Sequence, residues 1–290
     1  GFYQSRCKAI KGFIMIKKIS EREFLNKTQI GGSNPFFLMA GPCVIESRDM
    51  LAKICERMLE LTDELKILYI FKSSFDKANR SSTDSKRGPG IEEGLKDLQY
   101  IKETFGVPIV TDVHETSQVS SVAQVADILQ IPAFLSRQTD LILECVKSGR
   151  WVNVKKGQFM APSDCENIKE KIETAGSNRY LITERGASFG YNNLVFDPRS
   201  PAILHNLDIP VVFDGTHSTQ LPGGGKQSGG NREFAPVLMR AAVAVGLEGI
   251  FMEVHPNPPE AWSDSTNQYF LDQTPDLLRE LYRIDRLVKG

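Results

Sequence analysis

The residues best able to do chemistry in this chain stand at the ends of short apolar runs. The run Ile209-Pro210-Val211-Val212-Phe213 leads into Asp214-Gly215-Thr216-His217-Ser218, and residues 223–230 beyond it are glycine-rich. A buried-strand pattern that delivers a histidine to its carboxyl end and then opens into a loop is how an α/β enzyme presents an active site. Seven other runs end in the same manner. Cys43 and Glu46 follow the first, Lys72-Ser73-Ser74-Phe75-Asp76-Lys77-Ala78-Asn79-Arg80-Ser81-Ser82 the second, and Asp112-Val113-His114-Glu115 the third. Gln130, Pro132 and Arg137 follow the fourth, Lys155-Lys156-Gly157-Gln158 the fifth and Glu184-Arg185-Gly186 the sixth. Glu253 and His255 belong to the eighth, with Asp264 in the loop beyond.

Two subsets stand out. Cys43, His217, Glu253 and Asp264 offer a thiolate, an imidazole and two carboxylates, donors that suit zinc, iron(II) or manganese. They lie far apart in sequence, so no local spacing certifies them. The plainer reading is a buried cysteine, a core histidine and solvated acids. The second subset, Lys72, Lys77, Arg80, Lys155 and Arg185, is cationic. Desolvated together these groups repel, and an anionic ligand carrying phosphate or carboxylate is the natural remedy. Surface cations with buried stems are the plainer alternative. The spacing Lys72-x4-Lys77-x2-Arg80 argues against it, because it directly follows a buried strand. That much positive charge exceeds what one phosphate needs and points to two anionic substrates.

The elements that must position these groups follow from the apolar runs. There are eight: residues 36–39, 67–71, 108–111, 126–131, 151–154, 180–183, 209–213 and 250–254. Helical spacing of apolar residues marks 50–65, 90–104, 140–148, 163–174, 234–246 and 274–288. Strand and helix alternating eight times is the signature of a (β/α)8 TIM barrel, and continuous apolar runs fit parallel strands buried on both faces. A doubly wound open sheet would carry a GxGxxG turn after its first strand; here that turn reads Ala40-Gly41-Pro42-Cys43. Residues 19–30 form a short amphipathic cap before the first strand. Residues 1–14 read as a leader or expression remnant, and 15–290 as one catalytic barrel domain.

Composition narrows the class. The net charge of -1, from 35 basic and 36 acidic residues, argues against a nucleic-acid or membrane-surface protein. No apolar run reaches the roughly 18 residues of a membrane span; residues 235–250 come nearest and are broken by Arg240 and Glu248. The cysteines Cys7, Cys43, Cys55, Cys145 and Cys165 are odd in number, widely spaced and without a CxxC, as expected of a cytoplasmic protein in a reducing compartment. Cys55 and Cys145 fall in helical patterns and read as core. His205 reads as structural, and His114 as either a supporting or a reacting group. Glu46 and Asp214 are candidate partners that orient ligating side chains.

Four stretches together resemble one family. Ala40-Gly41-Pro42-Cys43-Val44-Ile45-Glu46-Ser47, the segment from Lys72 to Ser82, Asp112-Val113-His114-Glu115 and Phe213-Asp214-Gly215-Thr216-His217-Ser218 are similar to the 3-deoxy-D-manno-octulosonate 8-phosphate synthases. The resemblance runs from about Phe36 almost to the carboxyl end. It implies a homotetrameric barrel transferase of lipopolysaccharide precursor synthesis. The implied reaction condenses phosphoenolpyruvate with D-arabinose 5-phosphate and water, giving 3-deoxy-D-manno-octulosonate 8-phosphate and phosphate. The family has a metal-free class with Asn at the Cys43 position and a metal-dependent class with Cys. Cys43, with His217, Glu253 and Asp264, places this chain with the second.

Carried over, Lys72, Ser74, Lys77, Gln130, Lys155 and Arg185 match the phosphoenolpyruvate pocket. Asn79 and Arg80 match contacts to arabinose 5-phosphate, and Asp112 lies near the reacting sugar. Arg137 reaches the sugar phosphate across a subunit boundary. Asp264 or Glu253 serves as the proton acceptor, and residues 223–230 form a lid. The related 3-deoxy-D-arabino-heptulosonate 7-phosphate synthases, which use erythrose 4-phosphate, typically carry Lys-Pro-Arg-Thr-Ser where this chain reads Lys77-Ala78-Asn79-Arg80-Ser81-Ser82. A non-catalytic sugar-phosphate-binding barrel is the alternative from outside the enzymes.

Overall fold

A computed structural model describes residues 18–78, 86–222 and 229–290. The eight apolar runs form eight strands: β1 (Phe37–Gly41), β2 (Tyr69–Lys72), β3 (Ile109–Asp112), β4 (Ile128–Ile131), β5 (Trp151–Lys155), β6 (Tyr180–Glu184), β7 (Val211–Asp214) and β8 (Gly249–His255). Each pairs in parallel with the next. β8 then pairs with β1, Ile250 opposite Leu38 and Glu253 opposite Gly41, and closes the sheet into a barrel. Several strands run one residue further than the apolar pattern alone suggests. Lys72, Asp112, Lys155, Glu184 and Asp214 are the last residues of their strands rather than the first of their loops.

Eight α-helices are present among the described residues: α1 (Arg48–Leu65), α2 (Ile91–Phe105), α3 (Val119–Val125), α4 (Thr139–Lys147), α5 (Cys165–Thr174), α6 (Ser200–Asn206), α7 (Ala235–Val245) and α8 (Thr274–Lys289). Six match the helical spacing in the sequence. The other two, α3 and α6, span seven residues each, under two turns at 3.6 residues per turn, too short to show a period. In α1, Leu51, Ile54, Cys55, Met58, Leu61 and Leu65 fall at helical intervals and are buried against the sheet. Ser47 caps it by accepting from Met50 N–H at 3.3 Å, worth about 1 kcal/mol. No described helix is long and apolar enough to cross a membrane.

Side chains alternate across each strand, and this decides what fills the barrel. Leu38, Phe71, Ile109, Val152, Ile182, Phe213 and Ile250 face the helices. Phe37, Met39, Ile70, Val110, Ile128, Trp151, Leu181, Val212 and Phe251 fill the interior. Continuing the same parity towards the carboxyl ends, the next inward positions are Lys72, Asp112, Gln130, Asn153, Lys155, Thr183, Asp214 and Glu253. The barrel is therefore apolar at one end and polar at the other. Residues 19–30 cap the apolar end, as a hairpin pairing Arg22–Glu23 with Gln29–Ile30. Its Phe24 packs 4.8 Å from Phe37 and edge-on to Trp151 at 4.6 Å. Gly41 is required by close approach: a Cβ there would meet Lys72 O at 1.9 Å.

Candidate active site

The polar end of the barrel gathers the strand-end groups into one mouth. Cys43 follows β1, Glu253 lies in β8, and Asp264 is in the loop after β8. The sulfur of Cys43 and one carboxylate oxygen each of Glu253 and Asp264 lie within 4.8 Å of one another, a group that can hold a metal ion. The Cys43 thiol donates to Asp264 Oδ2 at 3.1 Å, and its sulfur lies 2.9 Å from the Ser263 hydroxyl. His217, in the turn after β7, stands beside this trio, with Nε2 3.6 Å from both Glu253 Oε2 and Asp264 Oδ2. Three of the four proposed ligands thus form one cluster, and the fourth, His217, stands beside its two carboxylates.

Their surroundings prepare them for a cation. Asp214 holds His217 Nδ1 at 2.8 Å and accepts from the backbone N–H of His217, leaving Nε2 turned to the carboxylates. Glu253 Oε1 takes Lys72 Nζ at 2.6 Å, but its Oε2 is buried without a hydrogen-bond partner. A buried carboxylate oxygen without a donor is costly unless a cation completes it. Burial, then Asp264 and Glu253, pushes the Cys43 thiol well above its ordinary value, so it stays protonated until a positive charge arrives. Burial works to raise Glu253 too, yet Lys72, His217 and Lys77 bring it to about 2. Burial likewise opposes ionisation of Asp264, and the hydrogen bond and charge of His217 with the Lys77 ammonium overcome it, holding the carboxyl well below its usual range. The donor set and the unpartnered Oε2 fit a divalent ion.

The cations are placed among acids. Lys77 Nζ is 3.7 Å from Glu253 and 4.0 Å from Asp112. Lys155 Nζ is 2.5 Å from Asp214, 3.2 Å from His217 Nδ1 and 3.7 Å above the Phe251 ring. Arg185 donates to Gln220 Oε1 at 2.5 Å, while its buried Nε has no partner. Burial lowers both Lys155 and Arg185, with neighbouring carboxylates opposing the shift. Repulsion among bare cations is therefore only part of the picture. Lys72, Lys77, Lys155 and Arg185 are interleaved with Asp112, Asp214, Glu253 and Asp264, four against four. An ion in the Cys43 cluster would tip this balance towards binding anions.

A chain of side chains crosses the interior at the same level. Ser74 Oγ donates to Asp112 Oδ2, and Gln130 Nε2 donates to Asp112 Oδ1 at 2.5 Å. Asn153 Nδ2 donates to Gln130 Oε1 at 2.9 Å, and Thr183 Oγ1 to Asn153 Oδ1 at 2.7 Å. Sequence reading found Ser74, Asp112 and Gln130 but missed Asn153 and Thr183. A polar residue inside an apolar parallel strand was the available signal, since only an inward position at the mouth accommodates it. It also missed Ser263, Gln220 and Gln268. Gln268 accepts from Cys43 N–H at 3.1 Å and donates to Ser263 O at 2.7 Å, but its spacing in sequence carries no such information.

Other expectations divide. Asn79, Arg80 and most of the proposed lid, 223–228, lie outside the described residues, as do residues 1–14 with Cys7. Gly229–Gly230 pair with Gln220–Leu221. Arg137 is exposed after β4, and no described residue pairs with its guanidinium. His205 is buried against Glu248 at 3.0 Å, a structural role. His114 packs edge-on to Phe75 at 5.9 Å, its Nδ1 buried and unpartnered. Glu46 takes Trp262 N–H at 2.9 Å, tying down the segment that carries Asp264. Asp264 itself is held at φ +48, a left-handed conformation uncommon outside glycine.

A parallel eight-stranded barrel with an acid-cation mouth and a thiol-carboxylate group that can hold a metal ion is the architecture of a (β/α)8 enzyme. The model of the DAHP synthetase I family matches residues 14–289, and the chain belongs to that family. A 2-dehydro-3-deoxyphosphooctonate aldolase from Bordetella petrii is 58% identical over 268 residues, covering 90% of this chain and 94% of the relative. The proteins of the same name from Cyanothece sp. and Geobacter sulfurreducens are 55% and 52% identical. They cover 88% and 91% of this chain, and 94% and 98% of their own lengths.

Proposed function

We propose that this chain is a 3-deoxy-D-manno-octulosonate 8-phosphate synthase, condensing phosphoenolpyruvate with D-arabinose 5-phosphate and water. The observation that carries the reading is the convergence of Cys43, His217, Glu253 and Asp264 beside Lys72, Lys77, Lys155 and Arg185 in one mouth. The relatives' shared name, 2-dehydro-3-deoxyphosphooctonate aldolase, supports the eight-carbon product over the seven-carbon product for which the wider family is named.

In this reading Lys72, Lys77, Lys155 and Arg185, with Ser74 and Gln130, bind and orient the phosphate and carboxylate of phosphoenolpyruvate. Its C3 forms a bond to the sugar aldehyde carbon, whose oxygen gains a proton. Water adds at the electron-poor C2, and Asp264 or Glu253 accepts the proton it loses. The C2–O bond to phosphate then breaks as the new C2 hydroxyl closes to a ketone, its proton leaving with the inorganic phosphate. Asp112 steadies the sugar, while Asn79, Arg80 and a partner copy's arginine at position 137 take its phosphate. Cys43, His217, Glu253 and Asp264 would hold zinc, iron(II) or manganese, which supplies Lewis acidity and lowers the pKa of a water. A homotetramer in the cytoplasm accompanies this assignment.

The test is phosphate release from phosphoenolpyruvate, measured with arabinose 5-phosphate or erythrose 4-phosphate, before and after chelation. Release should require arabinose 5-phosphate, disappear with chelator and return with added divalent metal. Full turnover by metal-free protein would sink the metal assignment. Preference for erythrose 4-phosphate would overturn the product.

A further inference from the structure

The end of the barrel remote from this mouth carries a second concavity. A cavity of about 530 Å3 opens between the amino-terminal hairpin and the starts of β4, β5 and β6. Arg22 and Lys27 come from the hairpin, Arg150 from the residue before β5, and Arg179 from the residue before β6. The acids lining it are Glu23 and Asp127, two against four cations. Asp127 is largely committed elsewhere: its oxygens take Lys102 Nζ at 2.8 and 2.9 Å and Ile109 N–H at 2.8 Å, and Arg150 Nη1 stands off at 4.0 Å.

The arginines are fixed but not used up. Arg150 Nε donates to Ala123 O at 2.8 Å, Arg179 Nη1 to Gly149 O at 2.9 Å, and Arg22 Nη2 to Asp208 Oδ2 at 3.2 Å. A guanidinium has five N–H donors in a planar fork, so each retains donors to offer once its position is set. Lys27 has no acceptor among the described residues. It sits with Asn26 at the hairpin tip, both in the left-handed region at φ 60 and 53. Phe24 against Trp151 makes a rigid aromatic floor. Cations from three separate segments therefore converge on one concave site whose volume matches a small-molecule pocket.

We propose that this cavity binds a small phosphorylated metabolite carrying more than one negative charge, with Arg150 and Arg179 forking its phosphate and Lys27 closing over it. Arg and Lys together, outnumbering the two lining acids and set over the Phe24–Trp151 floor, favour phosphate over a cation or a neutral sugar. The site is separate from the mouth and does not depend on which sugar phosphate is condensed there.

Two tryptophans, Trp151 and Trp262, are the chain's only ones, and Trp151 lines the cavity. The variant W262F leaves Trp151 as the sole emitter, so a titration with inorganic pyrophosphate reads this site directly. The expected result is a saturable change in emission below about 10 mM, undiminished by excess phosphoenolpyruvate, and at least about tenfold weaker in W262F carrying R150A and R179A. If that variant fails to fold by circular dichroism, R179A alone serves, since it removes a single guanidinium hydrogen bond, to Gly149 O, among the described residues. No saturable change, a change retained in the arginine variant, or one abolished by phosphoenolpyruvate would overturn the proposal. Tighter binding of citrate than of pyrophosphate would overturn the phosphate class.

Discussion

Gln268 is the residue whose loss should reveal how the mouth is held together. It is fully buried, and its one side chain bridges two segments. Its Oε1 takes the Cys43 N–H at 3.1 Å, and its Nε2 donates to Ser263 O at 2.7 Å, one residue before Asp264. Replacing Gln268 with leucine keeps much of the volume but strands a buried N–H and a buried carbonyl. Each unsatisfied group costs about 1–3 kcal/mol. Local relaxation recovers part of the sum, leaving a loss of about 2–4 kcal/mol. For a chain of this length 1 kcal/mol is worth roughly 2 °C, so Tm should fall by about 4–8 °C.

The same substitution frees the Cys43 loop from the segment carrying Asp264, and groups that orient metal ligands are worth about 10–100-fold in affinity. Calorimetry should therefore show the lower Tm, and competition with a chelator should show weaker divalent-ion binding by about tenfold or more. Replacing Gln268 with glutamate preserves the acceptor for Cys43 N–H but loses the donor to Ser263, and it should fall between wild type and leucine. If the leucine variant melts within about 1 °C of wild type and binds the ion equally well, the clamp described here does not operate.

Two further outcomes follow from buried titrating groups. Burial works to raise Asp112, but Lys77 and Lys72, with the Ser74 hydrogen bond, outweigh it and hold the carboxyl below its ordinary range. A depressed folded-state pKa contributes stability that is present above the unfolded value of about 4 and is lost as pH falls below it. The stability gap between wild type and Asp112→Asn in urea should thus be larger at pH 7 than at pH 3; an equal gap at both would refute the assignment. Burial pushes the thiols of Cys55, Cys145 and Cys165 up to about 12, and all three are enclosed in the core. Since the thiolate is the reacting form, a disulfide-exchange reagent at pH 8 should label these three only on unfolding; rapid labelling of any of them in the native chain would contradict the packing.

The barrel was legible because parallel strands buried on both faces must be apolar along their length. Residues 36–39 and 209–213 read that way without any tertiary information. The reading stopped one residue early at Lys72, Asp112, Lys155, Glu184 and Asp214, because charge marks the end of an apolar run but not the end of strand hydrogen bonding. Cys43, His217, Glu253 and Asp264 were each visible as strand-end groups. Local spacing could not certify their grouping, which rested on residue type and resemblance, because it depends on β8 closing onto β1 across more than 200 residues. The links through Asn153, Thr183 and Gln268 exist only once neighbouring registers are set.

That dependence runs in both directions. Trp151, Asn153 and Lys155 share one face of β5, as Phe251 and Glu253 share one face of β8. A register that buries Trp151 and Phe251 inside the barrel necessarily turns Asn153, Lys155 and Glu253 into the mouth. Slipping either strand by one residue would send the charged groups out among the helices and bring Val152, Val154 or Met252 inward. The apolar plug beneath the site and the polar groups within it are therefore specified by the same alternation. The hydrophobic burial that favours this register, about 1.5–3 kcal/mol for each large side chain, also holds the ion-pair network of the mouth in place.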